Sequence, residues 1–521
     1  MRRSLIGVAL VCSLLCCALT GAQQPAAAKP PRLIVVLVID QFRYDYLTRF
    51  RSEYSGGIGT FWNKGAVFTN AYLQHFPTVT AVGHSTILTG ATPSLSGIVG
   101  NEWYDLDSSR RVTSVFDPVV RLLGAAKGDG ASPARLQVST VGDELKMAGR
   151  GPSKIIGISL KDRAAILTAG HMADGAFWFD PNNGNFISST HYFPDLPAWT
   201  QQFNGKRSVD QWLGAQWKSA DGKVLRTMPA SPGPEYYDAL ERSPFGTELL
   251  LSFAQRAIEA EKLGSDDAPD ILSISLSSTD HVGHEVGPDS PEIRELNLHT
   301  DRAVGQFLRY LSKLLPSGSL VTVLTADHGV TPLPEVQAER KMPGGRVSES
   351  ALRKTVEAAL NSRFGEARWL AYAASGSFWL NRATIAGKRL AQADVEDCAA
   401  QALAGVPRVA RVYTATQLSE GRLVQDPVGL RVAHSFYRGR SADVIVILEP
   451  YWIYGAKDAS HGSAYGYDSH LPLIFMGAGI KPGYYHQNVA INDIAPTLAA
   501  ILEVETPSGS TGRVLHEILM R

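Results

Sequence analysis

The chain is 521 residues long and 44% hydrophobic, enough to bury a large core and to form more than one structural unit. Its 50 basic and 50 acidic residues cancel, so overall charge argues against a nucleic-acid or membrane-surface partner. Glycine and aromatic usage is ordinary for a globular enzyme and excludes a fibre or a disordered chain.

Arg2 and Arg3 precede an apolar stretch from Leu5 to Leu19, and small residues follow to Gly21-Ala22. This charged, apolar and cleavable order predicts a secretory signal peptide over residues 1–22, and hence a periplasmic or secreted protein. The apolar part is short for a permanent span, and no other stretch is long enough without charge to cross a bilayer. Cys16 and Cys17 raise a lipoprotein as the alternative, but Leu15 or Cys16 is a poor residue before a lipidated cysteine. Cys12, Cys16 and Cys17 would leave with the signal. Cys398 then remains alone, as a small core residue in a helix, and no internal disulfide is expected.

Residues 23–31 read as a Pro/Ala linker, and residues 32–521 as the catalytic domain. Leu33 to Ile39 is a continuous apolar, β-branched run, the pattern of a strand buried on both faces. Similar runs follow at Ile155 to Leu160, Ile271 to Leu276, Leu320 to Leu324, Val444 to Leu448 and Leu473 to Phe475. Helical patterns, such as Gly246 to Leu263 and Glu292 to Leu315, lie between them. The alternation predicts an α/β fold with a mostly parallel central sheet and helices on both faces. Two stretches break the rhythm. Residues 180–237 are rich in Trp, Tyr, Pro and Asn and read as an irregular inserted lid. Residues 345–432 carry their own helix, strand, helix, strand order and read as a small α+β subdomain.

Three of the buried runs end in an aspartate: Asp40, Asp280 and Asp327. Ligands of open parallel sheets gather beyond the carboxyl ends of the strands, where three carboxylates would repel one another without cations between them. Asp280 and His284 come together if a helical turn follows the strand, and Asp327-His328 offers a carboxylate and an imidazole side by side. Mixed carboxylate and imidazole donors suit zinc and suffice for two ions. His281 reads as a bystander, and His75, His171 and His434 fit no ligand spacing. The small and hydroxyl residues from Pro77 to His84 predict a helix starting near Thr80, whose free amides would favour a phosphoryl group.

Asp40, the Pro-Thr-x-Thr-x-x-Gly-His segment ending at His84, Asn101, Asp280-x-x-x-His284 and Asp327-His328-Gly329 together resemble the alkaline phosphatase superfamily. The resemblance covers about residues 33–505. It implies one zinc on Asp280, His284 and a late histidine, and a second on Asp40, Asp327 and His328, with Thr80 as nucleophile on the same ion. The family presents the late histidine in a His-Gly step, which fits His461-Gly462; His470 is the alternative. A sulfatase is excluded, because Thr80-Ala81-Val82-Gly83-His84 stands where its Cys/Ser-x-Pro-x-Arg signature would be.

Lys161 and Arg163, at alternate positions if the segment is extended, would project to one side. The pair resembles the Lys-x-Arg of the PafA-type bacterial alkaline phosphatases. That implies a clamp of Asn101, Lys161 and Arg163 on the phosphoryl oxygens of small phosphate monoesters; a monomer is expected, though the sequence does not fix the oligomeric state. A phosphodiesterase or nucleotide pyrophosphatase on the same two-zinc platform is the runner-up reading. A non-catalytic periplasmic metal- or phosphate-binding protein is a more distant one, and a cofactor-independent mutase conflicts with the signal peptide. The aromatics Trp178, Phe179, Tyr192, Phe193 and Trp199 either line a leaving-group pocket or pack the insertion.

Overall fold

The computed structural model describes residues 30–520 apart from 126, 150 and 423–425. The signal peptide, nearly all of the linker and three of the cysteines lie outside the described residues. No described helix is long and apolar enough to cross a membrane.

A ten-stranded sheet forms the centre. In chain order its strands are β1 (Leu33–Ile39), β2 (Ala66–Tyr72), β3 (Leu122–Leu123), β4 (Ile155–Ser159), β5 (Gly175–Asp180), β6 (Asn185–Ser189), β7 (Asp270–Leu276), β8 (Leu320–Thr325), β9 (His470–Gly477) and β10 (Gly483–Ala490). Their order across the sheet is β10-β2-β9-β8-β1-β7-β4-β5-β6-β3. The pairings β8-β1, β1-β7, β7-β4 and β4-β5 are all parallel, whereas β9 and β6 run against their neighbours. All seven residues of β1 are buried, as a central strand covered on both faces requires.

Helices flank the sheet. They include α1 (Thr80–Thr89) and α2 (Asp162–Ala169), packed on each other, and α3 (Pro244–Glu261), α4 (Ser278–Val286) and α5 (Pro291–Leu314), packed as a second group. Their ends follow ordinary capping chemistry. Ser290 accepts from the Ile293 amide at 3.2 Å ahead of Pro291, and Gly90 closes α1 at φ 67°.

Two expectations need correction. The run Val444–Leu448 is a buried strand, but it belongs to a separate four-stranded sheet with Leu370–Ala374, Ser377–Leu380 and Val409–Thr414. The helices Glu349–Phe364 and Gln392–Ala404 pack with this sheet around their own core, which buries Cys398. An apolar run buried on both faces looks the same in either sheet, so periodicity could not tell them apart. The second concerns residues 180–237, read as an irregular lid, which include a strand of the central sheet; of the two alternatives for the aromatics, packing is the one found. Phe177 and Trp199 pack on Phe253 of α3, with ring centroids 5.1 to 5.6 Å apart, and none of the five named aromatics lines the cavity described below. Asn185–Ser189 within this stretch is a strand of the central sheet.

Candidate metal and phosphoryl site

Because β8, β1, β7 and β4 are neighbours and parallel, their carboxyl ends open along one edge. Asp327 follows β8, Asp40 follows β1, Asp280 follows β7 and Lys161 follows β4. Asp280 stands in the first turn of α4 and not on the strand itself, which ends at Leu276. That helical turn sets His284 Nε2 3.3 Å from Asp280 Oδ1. His461 reaches the same point from the segment before β9, its Nε2 3.1 Å from that of His284 and 3.6 Å from Asp280 Oδ1. His328 Nε2 lies 3.5 Å from Asp40 Oδ1, 3.4 Å from Asp327 Oδ2 and 3.5 Å from the Thr80 hydroxyl.

Three imidazoles share one arrangement. Nδ1 of His284 faces the Ala459 carbonyl at 2.8 Å, that of His328 the Gly329 carbonyl at 2.9 Å, and that of His461 the Thr78 carbonyl at 2.9 Å. A carbonyl only accepts, so Nδ1 carries the proton in each ring and the Nε2 lone pair turns inward. Lone pairs on His284 and His461 then face each other at 3.1 Å, an arrangement that a shared cation would relieve. Two carboxylate oxygens, Asp40 Oδ1 and Asp327 Oδ2, are buried without any hydrogen-bond partner. Candidate donor atoms of Asp280, His284 and His461, and of Asp40, Asp280 and His328, lie within 4.8 Å of one another. This nitrogen and oxygen donor set fits divalent metal ions, with imidazole favouring zinc over magnesium or calcium.

The electrostatics agree for His461, while at His284 burial is outweighed by Asp280, which raises that imidazole above its ordinary value. Burial and the neighbouring Asp327 raise the Asp40 carboxyl well above the usual carboxylate range. Burial would raise Asp280 too, but Lys161 and His284 outweigh it and hold it well below that range. Burial and the nearby His328 push His461 far down, which keeps it neutral.

Of the expected phosphate clamp, Asn101 accepts from the Ala81 amide at 2.8 Å through Oδ1, which leaves its NH2 group for another partner. Lys161 and Arg163 do not alternate along an extended segment, because α2 begins at Asp162 and takes Arg163 into its first turn. The Lys161 ammonium instead donates to Asp40 Oδ2 at 2.6 Å and to Asp280 Oδ2 at 2.5 Å. Arg163 lies on the wall of a cavity shared with Asn101 and His461, and its Nε is buried and unpartnered. His470 stands apart: its ring is stacked between Tyr44 and Tyr72, at 4.2 and 4.5 Å, and its Nε2 donates to the Thr69 carbonyl.

Two supporting residues had no role assigned from the sequence, although His84 closes the motif that begins at Pro77. Gln41, in the left-handed region at φ 63°, donates its backbone amide to Asp327 and its side-chain amide to Asp280, at 3.2 and 2.6 Å. His84 Nδ1 donates to the Thr80 carbonyl, and its Nε2 accepts from Ser275 Oγ of β7. Adjacency to Asp40 and the Thr80-to-His84 spacing were the available signals.

A mostly parallel α/β sheet with aspartates and histidines collected at its carboxyl edge defines a hydrolase of the alkaline phosphatase superfamily. Residues 34–468 match the type I phosphodiesterase / nucleotide pyrophosphatase family, and the chain belongs to it. It is 35% identical to alkaline phosphatase PafA of Elizabethkingia meningoseptica over 100% of this chain and 99% of that protein. It is 36% identical to alkaline phosphatase PhoV of Synechococcus elongatus, over 95% and 94% of the two chains. The crystal structure of wild-type PafA superposes with a TM-score of 0.88 at 34% identity, covering 95% of this chain and 100% of that one.

Proposed function

We propose that the chain is a zinc-dependent phosphomonoesterase of the periplasm or extracellular space, with Thr80 as the nucleophile. The observation that carries the reading is the placement of Asn101, bonded to the amide next to Thr80, and the cationic Arg163 on one cavity wall. A transferred monoester phosphoryl group carries nearly two negative charges on its non-bridging oxygens and rewards more positive charge than a diester does. The full-length similarity to proteins named alkaline phosphatases supports the same conclusion.

Asp280, His284 and His461 would hold one zinc, and Asp40, Asp327 and His328 the other. Bound there, the ions would lower the pKa of oxygens they contact and offset charge on the entering and leaving oxygens. Thr80 Oγ1 attacks phosphorus in line as its proton passes to solvent; the P–O bond to the alcohol breaks, the departing oxygen takes up a proton from solvent, and a phosphothreonine forms. Asn101 NH2 and the Arg163 guanidinium orient the non-bridging oxygens, and Lys161 adds positive charge. Water then attacks the phosphothreonine, returning Thr80 and releasing inorganic phosphate.

A second reading, a phosphodiesterase on the same platform, draws on the family match and on Lys161, whose charge is already engaged by two carboxylates. The deciding measurement is kcat/KM for an aryl phosphate monoester against the corresponding diester, with zinc-loaded protein at alkaline pH. A strong monoester preference is expected. A strong diester preference would make the second reading correct and reduce Lys161 to a structural counter-charge.

A further inference from the structure

The cavity that begins at Asn101, Arg163 and His461 continues well beyond them. It has a volume of about 540 Å³ and runs between the loop at 99–103 and the four-stranded sheet of the inserted subdomain, where Tyr372, Trp379 and Ile445 form its wall. A cavity of several hundred Å³ holds an organic molecule, whereas a phosphoryl group fills only its mouth.

The lining has two characters. Trp379 is held rigidly: its Nε1 donates to the Arg440 carbonyl at 3.2 Å, and its ring lies 5.5 Å from that of Tyr372. Tyr372 in turn donates its hydroxyl to Glu102, next to Asn101, at 3.2 Å, so the aromatic wall is fastened to the phosphoryl end. Beside this apolar surface Ser114, Thr331 and Tyr454 add polar residues to the same lining.

The geometry points to a leaving-group site: this cavity takes the aromatic alcohol half of a phosphate monoester, its ring against Trp379 and Tyr372. The inserted subdomain therefore selects aryl and nucleoside-like esters over those of small aliphatic alcohols. This inference rests on the phosphomonoesterase reading and adds the substrate class.

The test uses zinc-loaded full-length protein, with kcat/KM for 2-naphthyl phosphate and glycerol 3-phosphate in wild type, Trp379→Ala, Trp379→Phe and Ser377→Phe. The ratio of the two, normalised to wild type, should fall about ten-fold or more in Trp379→Ala, mainly through KM, because ring stacking and apolar area are lost. Trp379→Phe should recover most of the ratio. Ser377→Phe, which narrows the cavity, should lower it again and decides the matter if Trp379→Ala does not fold. Equal losses on both substrates in the folded variants would overturn the inference. If wild type hydrolyses neither ester, the phosphomonoesterase reading has failed, and calorimetric binding of 2-naphthol decides the cavity by itself. Binding to wild type that weakens in Trp379→Ala or Ser377→Phe supports it; no binding, or equal binding, sinks it.

Discussion

His84 and Asp327 meet across the junction of α1 and β8, with His84 Nδ1 3.1 Å from Asp327 Oδ2. The imidazole proton is directed at the Thr80 carbonyl, 2.9 Å away, so that carboxylate oxygen is left with its lone pairs uncommitted. The helix that carries the proposed nucleophile and the carboxylate proposed to hold a metal are thus registered against one buried ring. Substituting His84 by Ala should weaken zinc binding about 10- to 100-fold, as losses of a ligand's supporting contacts do. Zinc titration against a chelator would measure it; unchanged affinity would remove His84 from this role.

Thr80 is buried, at the first position of α1. If it is the nucleophile, Thr80→Ala should lose about three orders of magnitude or more in kcat while its zinc content stays near that of the wild type. Thr80→Ser keeps the hydroxyl and should retain measurable turnover. Acid quenching during turnover should trap phosphate on the wild-type chain and none on Thr80→Ala. Wild-type rates in Thr80→Ala would end the proposal.

Gly83 gives a prediction against propensity. In an exposed helix interior Gly→Ala stabilises by about 1 kcal/mol. Here a Cβ at residue 83 would fall 2.2 Å from the Asp327 carbonyl oxygen, backbone that cannot rotate aside. Gly83→Ala should therefore destabilise by about 1–3 kcal/mol, the usual cost of overpacking, and lower zinc content with it. A raised Tm would show that α1 can move away from β8 without harm.

Glu241 makes stability depend on pH. Burial, with Asp238 nearby, raises its carboxyl from 4.5 to about 8. The folded chain therefore keeps a proton that the unfolded chain has released. This stabilisation is full below about pH 4.5 and is lost as pH rises through about 8. Glu241→Gln mimics the protonated form, so it should match wild type near pH 5 and exceed it at pH 9 by an amount on the order of a few kcal/mol. Denaturant unfolding at the two pH values measures the difference; equal stabilities at pH 9 would contradict it.

The parallel heart of the fold was legible because Leu33–Ile39, Ile155–Ser159, Asp270–Leu276 and Leu320–Thr325 are apolar enough to lie nowhere but inside. The aspartates announced the sheet edge, since a charged residue directly after such a run, as Asp40 is, or within a few residues of it, as Asp280 and Asp327 are, has few other places to be. Strands β2 and β10 were not anticipated: β10 is largely exposed and Ala66–Tyr72 is only partly apolar. The Lys161 to Arg163 geometry was misjudged because the onset of α2 at Asp162 changes the period from two to 3.6 within that tripeptide. Gln41 acts only through partners more than 200 residues away along the chain, which no local pattern encodes, whereas the bond of His84 to the Thr80 carbonyl is local and its contacts with Ser275 and Asp327 are distant.

The donors also span most of the chain, from Asp40 behind the first strand to His461, which follows the inserted subdomain. Contacts of such long sequence separation form late and slowly during folding. A nascent or truncated chain that has built β1, β7 and β8 still lacks the imidazole at residue 461. Completion of the cluster thus requires a chain made through the subdomain as far as residue 461. Metal capture would then act as a final latch, stabilising only chains that have finished folding.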